Sequence, residues 1–140
     1  MIKLVENEKN VDNYLSLRAA VGWKKLTREQ AEKALKNSLY VLTAYDEDWV
    51  PVGMGRLVGD GAVICYVQDL IVVPDRQRDG VGGKILCALK EYVKKEGIPG
   101  TEMMFDLMCA KGRETFYRKH GFQERPTDNL GPGMIQYMEL

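Results

Sequence analysis

The sequence predicts an α/β fold in which helices flank one mixed, mostly antiparallel sheet. Strand-like segments, rich in β-branched and aromatic residues, alternate with segments whose apolar residues recur at helical spacing. An Asp60-Gly61 pair between two strand-like segments is typical of a tight hairpin between antiparallel strands. One helical segment, 80–96, separates two strand-like segments and predicts a parallel pairing across it. The predicted order of elements is β-α-α-β-β-β-α-β-α-β.

The N-terminal part of the chain predicts one strand and two helices. The letters "IKLV" form a short strand-like segment, and "NVDNYLSLRAAVGW" places its apolar residues at helical spacing up to Gly22. The segment "LTREQAEKALKN" begins with Thr27 three residues before Gln30, which is the spacing of a capping box. A second helix is therefore expected directly after Thr27.

The middle of the chain predicts three strands. "SLYVLTAYD" and "PVGMGRLVGD" are separated by the turn letters "DEDW", and a long fourth strand covers 62–73. Gly53 and Gly55 interrupt the third strand. Because glycine weakens a strand, this pair indicates that another backbone or a ligand comes close there.

The C-terminal part predicts two helices and two strands. The segment 80–96 carries an apolar stripe at helical spacing, and Gly97 marks its end. Beyond it, "EMMFDLMC" predicts a fifth strand, "AKGRETFYRKH" a short helix and "GMIQYMEL" a final strand. No linker or repeat divides the chain, which predicts a single domain, 1–140.

Composition excludes several classes of function. The formal net charge is zero, so overall charge gives no indication of a nucleic-acid partner. No run approaches the roughly 18 apolar residues of a membrane span, and "MIKLVENEKN" lacks the apolar core of a signal peptide. Three widely spaced cysteines, Cys65, Cys87 and Cys109, predict buried reduced thiols and neither a disulfide framework nor a metal site. A cytoplasmic protein without a metal is expected.

A glycine-rich turn between the fourth strand and the 80–96 helix is the strongest candidate for a binding site. A helix N-terminus offers unpaired N–H groups to phosphate, and glycines let a ligand approach them. The GxxxxGK[ST] motif is absent, and Ile85 stands where a dinucleotide GxGxxG motif needs its third glycine. Taken alone, the turn predicts either a phosphate site or a glycine turn that only packs the helix tightly against the sheet.

Two motifs resemble the signatures of the GNAT-type N-acetyltransferases. Gln77-x-x-Gly80-x-Gly82, after an apolar strand, is similar to the acetyl-CoA signature Q/R-x-x-G-x-G/A. The segment "FYRKHGF" at 116–122 resembles the second signature, a tyrosine on a short helix followed by Gly-Phe. The predicted order of elements also agrees over the whole chain. The resemblance implies a GNAT-like fold and transfer of an acetyl group from acetyl-CoA directly to an amine.

The resemblance also implies how acetyl-CoA is held. Its pantetheine arm pairs with the backbone of the fourth strand, as an added strand would, and its pyrophosphate binds the turn. The expected cofactor-binding residues are Leu70, Ile71, Val72, Gln77, Arg78, Asp79, Gly80, Val81, Gly82, Gly83 and Tyr117.

Two positions depart from the family pattern. Ala110 stands where the family often has a cofactor-contacting asparagine. Asp79 stands where the family commonly has a basic residue or glycine. A carboxylate beside a pyrophosphate is unfavourable unless it points to solvent or pairs with Arg76 or Arg78.

The resemblance implies two catalytic residues. Tyr117 matches the tyrosine that protonates the departing CoA sulfur, although an aromatic that only packs the short helix is the alternative. Asp69, just before the cofactor-pairing residues, stands where the family often has a carboxylate base, and a cap or loop anchor is its alternative. A backbone N–H near Leu70 is expected to polarise the thioester carbonyl.

The acceptor is predicted to be a small primary amine in preference to a protein N-terminus or lysine. By resemblance, Arg18, Trp23, Tyr40 and Met134 are candidates to line its groove. Two other classes of function stay open: an acyl-CoA-binding module or sensor with little activity, and a protein that binds the phosphate of another nucleotide. The sequence leaves a homodimer open.

Overall fold

The computed structural model describes all residues, Met1–Leu140, which group into two compact units, Met1–Phe105 and Asp106–Leu140. We call them the N-terminal unit and the C-terminal unit. The predicted single domain over 1–140 stays a prediction. The elements are β1 (Lys3–Glu6), α1 (Val11–Ala20), α2 (Arg28–Lys36), β2 (Tyr40–Tyr45), β3 (Pro51–Gly59), β4 (Ile64–Val72), a 3-10 turn (Pro74–Arg76), α3 (Val81–Glu96), β5 (Met104–Asp106) and α4 (Glu114–Lys119).

The sheet confirms the predicted α/β class. Its five strands lie in the order β1-β2-β3-β4-β5, and the first three neighbouring pairs are antiparallel. The Asp60-Gly61 turn joins β3 and β4, and the Asp60 carboxylate accepts hydrogen bonds from the N–H groups of Ala62, Val63 and Ile64. No helix is long and apolar enough to cross a lipid bilayer.

The final strand predicted from "GMIQYMEL" is wrong. Residues 134–140 form no strand, and Met134, Ile135 and Met138 are 89%, 65% and 71% exposed. The segment has the composition of a strand, but a strand forms only where a neighbour supplies the hydrogen bonds and buries a face. The fifth strand is also shorter than predicted, because only Met104–Asp106 joins the sheet.

The cysteine prediction is only partly correct. All three cysteines are free thiols, and Cys65 is buried, but Cys87 and Cys109 are exposed. Cys87 lies among the apolar residues of α3 but on the solvent side of that helix. Composition therefore predicted correctly that the three cysteines are free thiols, but it predicted their burial correctly only for Cys65.

Side-chain caps fix where α1 and α2 begin. The Asn10 side chain accepts a hydrogen bond from the Asn13 N–H at 2.9 Å, and Thr27 Oγ1 accepts one from the Gln30 N–H at 3.0 Å. The predicted start of α2 after Thr27 is therefore confirmed, and each cap satisfies an N–H group that the helix leaves unpaired. The buried cluster against which these helices pack consists of Tyr14, Leu17, Ala31, Leu35, Val41, Met54 and Ile71.

α3 approaches the sheet closely at Gly53 and Gly55 of β3. A Cβ on Gly53 would lie 2.8 Å from the Ile71 carbonyl oxygen and 3.0 Å from Ile85 Cδ1. A Cβ on Gly55 would lie 2.7 Å from Ile85 Cγ2 and 2.9 Å from Leu89 Cδ1. The close approach predicted at these glycines is thus made by the buried side chains of α3 and by the neighbouring strand.

Replacing Gly55 with Ala should lower the free energy of unfolding by about 1–3 kcal/mol, because the added methyl overpacks a closed interior. The shift of the urea midpoint measures this change. Gly131→Ala is the matched control, since nothing lies within 4 Å of a Cβ at that position. Equal midpoints for the two variants would contradict the packing described for α3.

Tyr45 joins β2 to the segment before α1. Its hydroxyl donates a hydrogen bond to the Glu8 carboxylate and accepts one from Asn13 Nδ2 at 3.0 Å. Burial, reinforced by Glu8, raises the pKa of Tyr45 to about 12. The folded state therefore prefers the protonated phenol, whose ordinary pKa is about 10.

This raised pKa predicts a pH-dependent effect of Tyr45→Phe. The hydroxyl stabilises the fold fully below about pH 10, and its contribution is lost as the pH rises towards the folded pKa. Wild type should therefore be more stable than Tyr45→Phe at pH 8, and the difference should shrink by pH 12. Urea unfolding at both pH values measures the difference, and a constant difference would contradict the raised pKa.

Candidate cofactor site and active site

A strand–turn–helix unit carries most of the predicted cofactor-binding residues. β4 ends at Val72, the 3-10 turn follows, and α3 begins at Val81. In β4, Ile71 is buried while Leu70 and Val72 are half-buried, so side chains from this stretch contribute to the core. Residues 77–80 are exposed, and they lie together at the N-terminal end of α3.

Gly80 shapes the N-terminus of α3. It is the N-cap residue, with φ +77° and ψ 10°, and no side chain caps the helix. This left-handed conformation suits glycine, because an L-residue with a Cβ is strained there. A Cβ at Gly80 would meet nothing within 4 Å, so the space beside the first turn is open. An open, uncapped helix N-terminus with a partial positive charge is suited to bind phosphate.

Gln77 ties the turn back to the strand. Its side-chain amide donates a hydrogen bond to the Val72 carbonyl oxygen at 3.0 Å. The glutamine of the first motif therefore fixes the path of the chain between β4 and α3. The Val81 side chain is fully buried, so only its backbone is left to face a ligand.

Asp79 is paired within the turn. Arg76 Nε donates a hydrogen bond to Asp79 Oδ2 at 2.8 Å, and Arg76 Nη1 lies 3.6 Å from Asp46 Oδ2. A carboxylate beside a pyrophosphate was expected to point to solvent or to pair with Arg76 or Arg78. The structure shows that Asp79 pairs with Arg76. Arg76 therefore lies beside two carboxylates, those of Asp79 and Asp46.

Replacing Asp79 with Asn should strengthen the binding of CoA, because one negative charge is removed and Arg76 is released. Exposed ion pairs are worth little, so we expect an increase in affinity of about two- to fivefold. Calorimetric titration with CoA at low salt measures it. Glu91→Gln, which removes an exposed charge further along α3, is the control. Weaker binding by Asp79→Asn would contradict this account.

Asp69 lies in a buried ionic cluster and not at an exposed strand end. Its side chain is fully enclosed; Arg18 Nη1 lies 2.6 Å from Oδ1 and Arg56 Nη2 3.0 Å from Oδ2. Arg56 Nε also donates to Oδ2 at 3.1 Å, and the Tyr14 hydroxyl donates to the same oxygen. Burial, together with Asp69, raises the pKa of Tyr14 to about 12, so Tyr14 stays a donor at neutral pH.

A general base needs an oxygen directed at the proton that it removes. In this cluster both oxygens of Asp69 accept hydrogen bonds from arginines. The role of Asp69 as a base stays a prediction, and these contacts favour its alternative as an anchor. Sequence reasoning did not connect Arg56 or Tyr14 with the site, because nothing in their spacing marks them as neighbours of Asp69.

The C-terminal unit carries Tyr117 on the short helix α4. Tyr117 is half-buried, and its ring makes edge contacts with the rings of Phe116 and Phe122, at centroid distances of 5.1 and 5.7 Å. Gly121, with φ +89°, turns the chain back, so the Phe122 N–H donates to the Tyr117 carbonyl oxygen at 3.1 Å. The Gly-Phe pair of the second motif therefore closes α4 and packs against its tyrosine.

The candidates for the acceptor groove have different surroundings. In the N-terminal unit, the Arg18 guanidinium lies 5.6 Å from the ring centroid of Trp23, and Arg18 Nη2 donates to the Lys24 carbonyl oxygen at 2.8 Å. Tyr40 is buried, stacked on Tyr92 and hydrogen-bonded to Glu6, which is the environment of a core residue. In the C-terminal unit, Met134 is exposed.

Comparison with known proteins gives consistent results. Residues 36–124 match the model of the acetyltransferase (GNAT) domain. The chain is 34% identical to a GNAT family acetyltransferase from Streptococcus pneumoniae, with a TM-score of 0.80 and full coverage of both chains. It is 32% identical to a protein of unknown function from meticillin-resistant Staphylococcus aureus, a probable acetyltransferase, with a TM-score of 0.84 and coverage of 98% and 100%.

A plant protein is related over most of the chain. The chain is 29% identical to the chloroplastic GCN5-related N-acetyltransferase 1 of Arabidopsis thaliana, and the match covers 91% of the chain. The chain spans 63% of the length of that protein. It spans 61% of an uncharacterized N-acetyltransferase from Prochlorococcus marinus to which it is 27% identical.

Proposed function

The chain belongs to the GNAT family of acetyltransferases, and from that premise we propose that it transfers the acetyl group of acetyl-CoA to a small primary amine. The observation that carries the proposal is the uncapped N-terminus of α3 at Gly80, which follows β4 and the 3-10 turn in a chain that matches the GNAT domain. The family implies acetyl-CoA as cosubstrate. The acceptor class is part of the proposal.

The residues present fit the cofactor. Open space at Gly80, the uncapped first turn of α3 and the nearby Arg78 and Lys84 suit a pyrophosphate. The N–H groups of Arg78 and of residues 80–83 would hold it, since the Asp79 N–H already donates to the Arg76 carbonyl oxygen. The backbone of Leu70, Ile71 and Val72 would pair with the amides of the pantetheine arm. When bound, acetyl-CoA supplies an activated acyl group as its thioester.

The chain's own groups then have defined tasks. The backbone N–H near Leu70 donates a hydrogen bond where negative charge develops on the carbonyl oxygen, which lowers the barrier to attack. Tyr117 donates its phenolic proton to the departing sulfur, whose ordinary thiol pKa is about 8.5. The acceptor amine must be neutral to attack, and the proton that its nitrogen loses as the amide forms goes to solvent. Turnover should therefore increase with pH until the free amine is deprotonated.

The candidate side chains of the acceptor groove are the basis for proposing a small amine. In the N-terminal unit, the candidate wall of the groove is an aromatic and a guanidinium held close together, Trp23 and Arg18, with the guanidinium already paired with Asp69.

Two measurements test the proposal. First, CoA but not ATP or NAD should raise the melting temperature, since a ligand selective for the native state stabilises it by mass action. Second, acetyl-CoA with a panel of small amines should release free thiol above the rate without amine. Stabilisation by CoA without thiol release from any amine would instead indicate an acyl-CoA sensor. Thiol release only with peptide amines would move the acceptor to proteins, and stabilisation by ATP or NAD alone would remove acetyl transfer altogether.

A further inference from the structure

β4 carries an irregularity at Asp69. The residue has φ +60°, which is a left-handed conformation rarely adopted by a residue other than glycine, asparagine or aspartate. The pairing of β3 with β4 changes register at the same place, between Met54 opposite Ile71 and Arg56 opposite Gln68. Such a bulge redirects the strand and its backbone N–H and carbonyl groups. A conformation of this kind persists only where surrounding contacts hold it.

The contacts that hold this bulge all involve the carboxylate of Asp69. Arg56 comes from β3, the strand that pairs with the bulged part of β4, and Arg18 and Tyr14 come from α1. The side chains of Arg18 and Arg56 are only 12% and 10% exposed, so both ion pairs are largely removed from water. A buried carboxylate between two guanidiniums cannot be lost without leaving positive charge unpaired. The bulge is therefore tied to its neighbouring strand and to α1.

The same cluster reaches the loop between α1 and α2. Arg18 uses Nη1 for Asp69 and Nη2 for the carbonyl oxygen of Lys24, so one planar guanidinium spans the strand and the loop. Its position 5.6 Å from the Trp23 ring adds a cation–π contact to that loop. The carboxylate thus fixes β4 and, through Arg18, one candidate wall of the acceptor groove.

We propose that Asp69 is a positioning residue for acetyl transfer and not its general base. Its carboxylate holds the bulge that aims the backbone of the following residues, starting at Leu70, and sets the loop that carries Trp23. Proton transfer to Asp69 would remove the counter-charge of Arg18 and Arg56, whereas an unchanged carboxylate keeps both in place through the reaction. This inference rests on the proposed acetyltransferase function.

The test compares Asp69→Asn with Arg56→Lys. Asparagine accepts positive φ but cannot serve two guanidiniums, and lysine cannot place two donors on one carboxylate oxygen. If the cluster positions the backbone, each variant should lose turnover by up to about 100-fold, the effect of a misplacement near 1 Å. The acidic limb of the pH dependence of kcat/KM should keep its midpoint in both. Ser38→Ala is the matched control, because it removes a 3.1 Å hydrogen bond to Arg56 Nη1 without touching the carboxylate.

A base would give the opposite pattern. If Asp69 were the base, Asp69→Asn would lose turnover at every pH, while Arg56→Lys would keep near-normal turnover because the carboxylate is still present. Near-normal turnover in Arg56→Lys therefore overturns the proposal. Arg18→Lys adds an independent readout, a larger increase in KM for the amine than for acetyl-CoA, and equal increases in both would contradict the link to the loop. A cooperative urea unfolding transition without ligand shows that each variant is folded. An inactive wild type would refute the acetyltransferase function itself, whereas an active wild type with an equally active Asp69→Asn would refute only the positioning role.

Discussion

Replacing Tyr117 with Phe should reduce turnover by about 10²–10⁴-fold, the usual contribution of a positioned general acid. This loss of turnover comes only from the missing hydroxyl. Phenylalanine keeps the ring that packs at 5.1 Å from Phe116 and 5.7 Å from Phe122, so α4 should keep its structure. Without the phenol the sulfur must leave as a thiolate or take its proton from water, and both routes are slower.

Thiol release at saturating acetyl-CoA and amine measures this loss, and the melting temperature with and without CoA reports binding. We expect the stabilisation by CoA to be nearly unchanged in Tyr117→Phe. Tyr137→Phe, in the same unit but outside α4, is the control that loses a hydroxyl and should keep its turnover. Normal turnover by Tyr117→Phe would leave Tyr117 as a packing residue and remove it from the mechanism.

The parts of the fold that the sequence predicted correctly depend on local chemistry. Thr27 caps the helix that its spacing with Gln30 predicts, and Asp60-Gly61 makes the expected hairpin, because both signals act over a few residues. The glycines of β3 indicated that another backbone or a ligand comes close, and this is correct for the Ile71 carbonyl oxygen beside Gly53. The other approaching atoms are side-chain atoms of Ile85 and Leu89 of α3, which sequence alone could not identify.

The surroundings of Asp69 could not be predicted from the sequence. Its partners Tyr14, Arg18 and Arg56 lie 55, 51 and 13 residues away along the chain, so no spacing rule brings them together. The bulge and the positive φ depend on how β3 and β4 pair, and a pattern of alternating residues does not encode an extra residue in one strand. A carboxylate before a cofactor motif therefore suggested a base, and only its three-dimensional neighbours suggest an anchor.

The prediction of a final strand was wrong for a related reason. "GMIQYMEL" has the apolar content of a strand, yet its place in a sheet depends on a neighbour that composition does not specify. The cofactor turn is the opposite case, since the backbone geometry itself requires a glycine at position 80. Gly80 has φ +77° at the N-cap of α3, and this requirement is independent of distant partners.

That requirement makes Gly80 the position where one substitution should affect cofactor binding most. A β-branched residue is strongly disfavoured at positive φ, and even an ordinary L-residue loses roughly 1–2 kcal/mol in a left-handed conformation. Gly80→Val can relieve the strain only by moving the first turn of α3, which displaces the N–H groups proposed to hold the pyrophosphate. A displacement energy of that size corresponds to a loss of CoA affinity of about tenfold or more.

Gly100→Val separates this effect from a general loss of stability. Gly100 has φ +83° and, like Gly80, nothing within 4 Å of a Cβ, so valine meets the same strain away from the turn. Both variants should therefore unfold at lower urea concentrations than wild type, while calorimetric titration with CoA should show weaker binding only for Gly80→Val. Equal CoA affinity in the two variants would mean that the N-terminus of α3 does not hold the pyrophosphate, and weaker binding by both would trace the loss to stability instead.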